Sequence, residues 1–77
     1  LVHELKTLPE FFQAVKEKRK SFEVRRNDRN FKVGDSLYLR EWTGGEYTGR
    51  KLIRIITYIL DNPLYVKEGY VILGIKQ

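Results

Sequence analysis

With 77 residues, no cysteine and one histidine, the sequence reads as a single domain, 1–77, that neither disulfides nor a thiolate or histidine metal site can staple, so no cofactor is expected. Its 15 lysines and arginines against 10 acidic residues leave a net charge of +5, which points to an anionic partner. No apolar run approaches the roughly 20 residues that span a bilayer, and the opening residues lack the pattern of a signal peptide, so the expectation is a cytoplasmic chain with no membrane or metal partner.

Val2 to Thr7 reads as a short strand, and Thr7-Leu8-Pro9-Glu10 matches a capping box with proline in the first helical turn. In the helix that follows, Leu8, Phe11, Phe12 and Val15 recur at spacings of three and four and form one stripe to be buried. The helix runs out into Lys16 to Lys20, where cations meet the partial negative charge of its C-terminus. Ser21 to Arg26 alternates as a half-buried strand, with Phe22 and Val24 on the apolar face and Ser21, Glu23 and Arg25 on a polar, functional one. A polar connection then ends in Val33-Gly34-Asp35, whose glycine and aspartate suit a tight turn.

Ser36 to Trp42 alternates again, Leu37 and Leu39 pointing one way and Tyr38, Arg40 and Trp42 the other. Thr43-Gly44-Gly45-Glu46 has the composition of a hairpin loop. Lys51 to Leu60 is the longest strand and is apolar on both faces, the pattern of a central position. Asp61-Asn62-Pro63 breaks it, and Tyr70 to Lys76 forms the last strand with Val71, Leu73 and Ile75 inward. One main helix and about five strands predict an α+β fold. A doubly wound sheet would need a crossover helix between each parallel pair, so a small mixed β-barrel is the economical arrangement, and closure removes exposed edges.

The charge is not spread evenly. Lys16 to Lys32 holds eight basic residues and three acidic ones, and eight minus three is the whole +5; the remainder carries seven of each. Such a concentration steers phosphates, which makes nucleic acid the first candidate partner, against the alternative of a solvated charged face. The helix end accounts for Lys16, Lys18 and Arg19 better than for the arginines further on.

Within that segment, Lys18-Arg19-Lys20-Ser21-Phe22-Glu23-Val24-Arg25 resembles the G-x-K-x-x-E-x-R signature of the ASCH superfamily, with Lys20, Glu23 and Arg25 at three of its four positions and Lys18 in place of the glycine. His3-Glu4-Leu5-Lys6, Asn27-Asp28-Arg29, Lys32-Val33-Gly34-Asp35, Tyr47-Thr48-Gly49-Arg50 and Gly69-Tyr70-Val71-Ile72-Leu73-Gly74 are similar to a bacterial and phage branch of that superfamily, so the resemblance covers the whole chain. It implies a PUA-like barrel with a cleft beside the helix, lined by the lysine, glutamate and arginine, in proteins inferred to bind RNA or modified nucleotides. The residues suit that role: Lys20 is a point charge and Arg25 a planar fork for a phosphate or base edge. Glu23 fits two roles, holding those cations in place or accepting from an exocyclic amine.

Lys18, Lys20, Glu23, Arg25, Arg26, Asn27, Arg29 and Trp42 are the expected ligand-binding residues. Trp42, with Tyr38 and Arg40, offers a stacking platform unless these aromatics only cover the barrel under the helix. The rival class is catalysis. Some small ASCH proteins are amidohydrolases that deacetylate acetylcytidine with a lysine, a threonine and a distant glutamate; Lys20 matches the lysine, Glu23 stands where the threonine belongs, and Glu68 is a poor third member. Ribonuclease action would rest on the same Lys20 and Glu23. An RNA- or nucleotide-binding module is the reading carried forward, with a protein-interaction module as a third class, since +5 also attracts an acidic protein.

Overall fold

The computed structural model describes all residues, 1–77. The elements run β1 (Val2–Thr7), α1 (Pro9–Lys16), β2 (Phe22–Arg26), β3 (Ser36–Trp42), β4 (Tyr47–Leu60) and β5 (Tyr70–Lys76). They form one mixed five-stranded sheet in the order β1-β3-β4-β5-β2. β3, β4 and β5 make an antiparallel meander, β1 adds to β3 in parallel through α1 and β2, and β2 adds antiparallel to β5. The longest strand is therefore the middle one, as its apolar content predicts.

One face of the sheet curls around an apolar core. Leu5 of β1, Leu37 and Leu39 of β3, Ile56 of β4 and Val71, Leu73 and Ile75 of β5 are buried there, closed over by Val15 of α1 and by Phe31. Phe12 of the helix is also buried. Enclosing each such side chain contributes about 1.5 to 3 kcal/mol, which makes this face the main source of stability. No helix is long and apolar enough to cross a membrane.

The sheet stops at a half-barrel. β1 and β2 are its two ends, and no ladder joins them. The carbonyl of Leu1 accepts from the Ser36 N–H on β3, so the alternation of an extended chain turns the carbonyls of Glu4 and Lys6 toward the unpaired edge. Arginines cover that edge: Arg25 Nη2 donates to the Lys6 carbonyl at 2.9 Å and Arg29 Nη1 donates to that of Glu4. The edge removal expected from full closure is thus achieved in part by side chains.

Four local expectations are corrected. Helix α1 has Leu8 at its N-cap with no side-chain cap, because Thr7 remains in the β1 ladder opposite Glu41; Pro9 at the first helical position has no N–H to satisfy. Only Phe12 and Val15 of the helical stripe are buried, while Leu8 and Phe11 are partly exposed. Strand β2 is turned over: Glu23 is 3% exposed, whereas Phe22 and Val24 are 43% and 50% exposed. Its inward carboxylate is held by two cations, so an ion network and not the apolar pair decides which face is inside. Strand β4 starts at Tyr47, four residues early (51 − 47), and buries Arg54 while exposing Ile53.

Candidate functional site

Helix α1 ends in a left-handed turn. Glu17 is its C-cap and Lys18 takes φ 64°, with the N–H groups of Lys18, Arg19 and Lys20 donating back to the carbonyls of Val15, Ala14 and Ala14 at 3.0 to 3.1 Å. This is the position where the ASCH-like signature has glycine, and a side chain there costs about 1 to 2 kcal/mol. Glu17 itself accepts from Gln13 at 3.0 Å and Arg19 at 2.8 Å, and these hydrogen bonds hold its carboxyl below the usual range. Arg19 is thereby paired and is not a free cation.

The reversal brings Lys20 back across the start of β2. Its Nζ donates to the Phe22 carbonyl at 2.7 Å and to Glu23 Oε2. From the other side Arg25 donates to Glu23 Oε1 through Nε at 3.3 Å and Nη2 at 3.1 Å. Taking a carboxylate out of water is costly, and two cations with three hydrogen bonds are what make it tolerable. Glu23 thus performs the first of its two expected roles, and the fork of Arg25 is closed on it. Arg25 Nη2 also reaches Lys6 O and Thr7 Oγ1, leaving Nη1 as the donor without a partner in the chain.

These three side chains border one cleft of about 400 Å³, within the range of small-ligand sites. Thr7, Leu8 and Phe11 from the β1–α1 corner form the facing wall, and Phe22 and Val24 line the same space. Lys20 Nζ lies 5.6 Å from the centre of the Phe11 ring and 5.0 Å from that of Phe22, so a charge sits between two partly exposed aromatic rings. The cleft therefore combines apolar walls, a cation and an oriented arginine.

The other expected residues lie elsewhere. Lys18 lines a separate cavity beyond Lys20. Arg26 is exposed with its guanidinium 5.7 Å from the Tyr70 ring, and Asn27 uses its N–H on the Gly69 carbonyl at 2.9 Å. Arg29 bridges the sheet edges, and with Arg25 and Arg26 it borders a small hollow of about 110 Å³ outside the cleft.

Trp42 is also misplaced by the expectation. Leu37, Leu39 and Glu41 face the core, so Trp42 faces the outer side of the sheet, where Lys6 Nζ sits 4.7 Å from its ring. Because α1 packs on the inner face, Trp42 does not lie under the helix either.

Sequence reasoning missed six of the nine residues that line the cleft: Lys6, Thr7, Leu8, Phe11, Phe22 and Val24. Thr7 passes for a helix cap, yet its hydroxyl is buried in the cleft wall. Phe11 and Phe22 pass for core residues. Arg54, the one charged residue in the otherwise apolar run from Leu52 to Leu60, was the one readable signal of an unusual interior. His3 is buried and has a structural hydrogen bond, to Asp35 Oδ2 at 2.7 Å.

Residues 2–75 match the family described as "Domain of unknown function (DUF3850)". The chain is also 42% identical over 72 residues to the "Uncharacterized 12.9 kDa protein in GpA 3'region" of Escherichia phage P2, an alignment taking in 94% of this chain. It spans 65% of the length of that phage protein. Matched over nearly all of its residues, the chain belongs to the DUF3850 family.

Proposed function

We propose that this DUF3850 chain is an ASCH-like, PUA-like module that recognises RNA or a modified nucleotide in the cytoplasm, with the base held in the cleft between α1 and β2. The observation that carries the reading is the convergence of Lys20, Glu23 and Arg25 on one cleft that also presents Phe11 and Phe22. Partly exposed phenyl rings offer stacking faces, each worth about 1 to 3 kcal/mol per base. Lys20 and Arg25 Nη1 supply donors for a phosphate or a base edge.

Binding of short single-stranded RNA, followed by fluorescence anisotropy across a salt series, tests this. The expected log-log slope is about −0.7 per phosphate contacted. Phe22→Ala, which removes a ring that is 43% exposed, should weaken binding by about 1 to 3 kcal/mol while leaving the fold intact. Absence of binding at low salt, or affinity indifferent to both salt and Phe22, sinks the proposal.

Deacetylation of acetylcytidine is the second reading, favoured by one observation: Thr7 brings a hydroxyl to the same cleft as Lys20. That hydroxyl is buried and accepts from Arg25 Nη2 at 3.2 Å, and Lys20 Nζ is held by Glu23 and Phe22, so recognition without turnover is the expected outcome. Cytidine release that disappears in both Lys20→Ala and Thr7→Val would establish the hydrolase instead.

A further inference from the structure

Lys20 separates the cleft from a second cavity of about 240 Å³, between the end of α1 and strands β4 and β5. Arg54, Lys18, Lys76 and the residue Ser21 line it, and no acidic side chain does. Arg54 faces inward from β4 and is only 7% exposed. Its Nη1 donates to the Ile53 carbonyl at 2.9 Å and its Nη2 to the Val15 carbonyl at 3.4 Å, and it pairs with no carboxylate.

An arginine keeps its charge wherever it is placed, and buried cations are ordinarily paired. The helix C-terminus, through the Val15 carbonyl, explains part of the placement of Arg54. It does not explain the company. Lys18 and Lys76 also form no ion pair, although acidic side chains pair with cations at several other places in the chain. Lys18 moreover holds the left-handed backbone position, φ 64°, where glycine is the unstrained choice. The strained position is thus occupied by a side chain that adds a third unpaired cation to one hollow.

We propose that this cavity is a phosphate-binding site, with Arg54 as its buried anchor, Lys18 and Lys76 as outer charges and the Ser21 hydroxyl as a neutral donor. It takes the phosphate group of a nucleotide or of a nucleic-acid strand. The assignment rests on the lining of this cavity and goes beyond the reading of the cleft.

The test is a titration of the isotopically labelled full chain with inorganic phosphate and then pyrophosphate at constant ionic strength, following the amides of Lys18 to Ser21 and the Arg54 Nε–H by NMR. Pyrophosphate should shift these resonances. Lys18→Gly should weaken it about fivefold, the factor for one charge at contact distance in water, while raising the melting temperature. Those opposite movements separate a lost ligand contact from lost structure, and Lys76→Gln, at a position with no positive φ, should weaken binding without raising the melting temperature.

A ribo-oligonucleotide with and without a 5′-phosphate then distinguishes a terminal phosphate from a strand backbone. If cytidine and RNA fail to occupy the cleft while pyrophosphate still binds in a Lys18-dependent way, this site stands and the nucleotide reading of the cleft falls. Pyrophosphate affinity unchanged in both Lys18→Gly and Lys76→Gln, or shifts confined to Arg26 and Arg29, overturns the proposal.

Discussion

The laddered body of the sheet and the seam between β1 and β2 solve the same problem with different chemistry. Through β1, β3, β4, β5 and β2 the chain satisfies its main-chain groups with one another, and Leu37, Leu39, Val71 and Leu73 are fully enclosed beneath. At the seam no strand is available, and guanidinium groups reach across to carbonyls instead. The difference teaches where positive charge is structural. Arg25 and Arg29 are joined to the scaffold, whereas Lys18 has no ion partner at all. It also explains the position of the cleft, whose lining residues come from β1, the start of α1 and β2, the elements that flank the break.

The contrast is broken most forcefully on the laddered side. Leu39→Ala, at a residue with no exposure, should destabilise by about 2 to 5 kcal/mol in urea unfolding with little change in the slope. At the seam, Arg25→Ala removes the bonds to Glu23, Lys6 and Thr7 together and should lose about 2 to 3 kcal/mol, because Glu23 keeps only Lys20. Arg25→Lys should recover only part of this, since an ammonium cannot serve carboxylate and carbonyl in the geometry of the fork. Equal stability of Arg25→Ala and the parent would show that the seam needs no bridge. Arg29→Ala removes one partly exposed bond to Glu4 and should change stability by only about 0.5 to 1 kcal/mol.

The smallest effect is confined to acid. Asp35 accepts from His3 and from the Lys32 N–H, tying β1 to the turn before β3, and the hydrogen bond from His3 foremost holds its carboxyl below its ordinary value of 3.8. The unfolded chain therefore takes up this proton first. The stabilisation is present above the ordinary value and is lost as pH falls from there through the lower folded one. Asp35→Asn should flatten that acid limb in melting curves recorded at several pH values. A limb as steep as the parent's would assign the acid sensitivity to other carboxylates.

Much of the architecture was legible because it depends on local pattern. The bounds of β1, β3 and β5, the turn at Thr43 to Glu46 and the central place of β4 follow from alternation and turn chemistry. What was not legible is which face of β2 turns inward. Alternation separates Phe22 and Val24 from Glu23 and Arg25 but carries no sign, and the sign is set by Lys20 and by a strand edge some twenty residues back along the chain. The same limit hid the cleft's second wall, since Phe11 and Thr7 become site residues only when β1 ends beside β2. Trp42 failed for a different reason: its strand face was read correctly, but it does not border the cleft, which reaches that side only through Lys6.

The strand order also bears on how the molecule assembles. β3, β4 and β5 are neighbours both in the chain and in the sheet, whereas β1 meets β3 across 34 residues, as in Val2 with Ser36, and β2 meets β5 across still more, as in Phe22 with Gly74. Closing long loops before any contact rewards them is slow, so the meander is the natural nucleus and the two terminal-half strands dock onto it afterwards. The bonds across the seam would then be absent at the rate-limiting barrier. Their loss would quicken unfolding and leave refolding almost untouched, making the seam a determinant of the lifetime of the native state and not of the speed of reaching it.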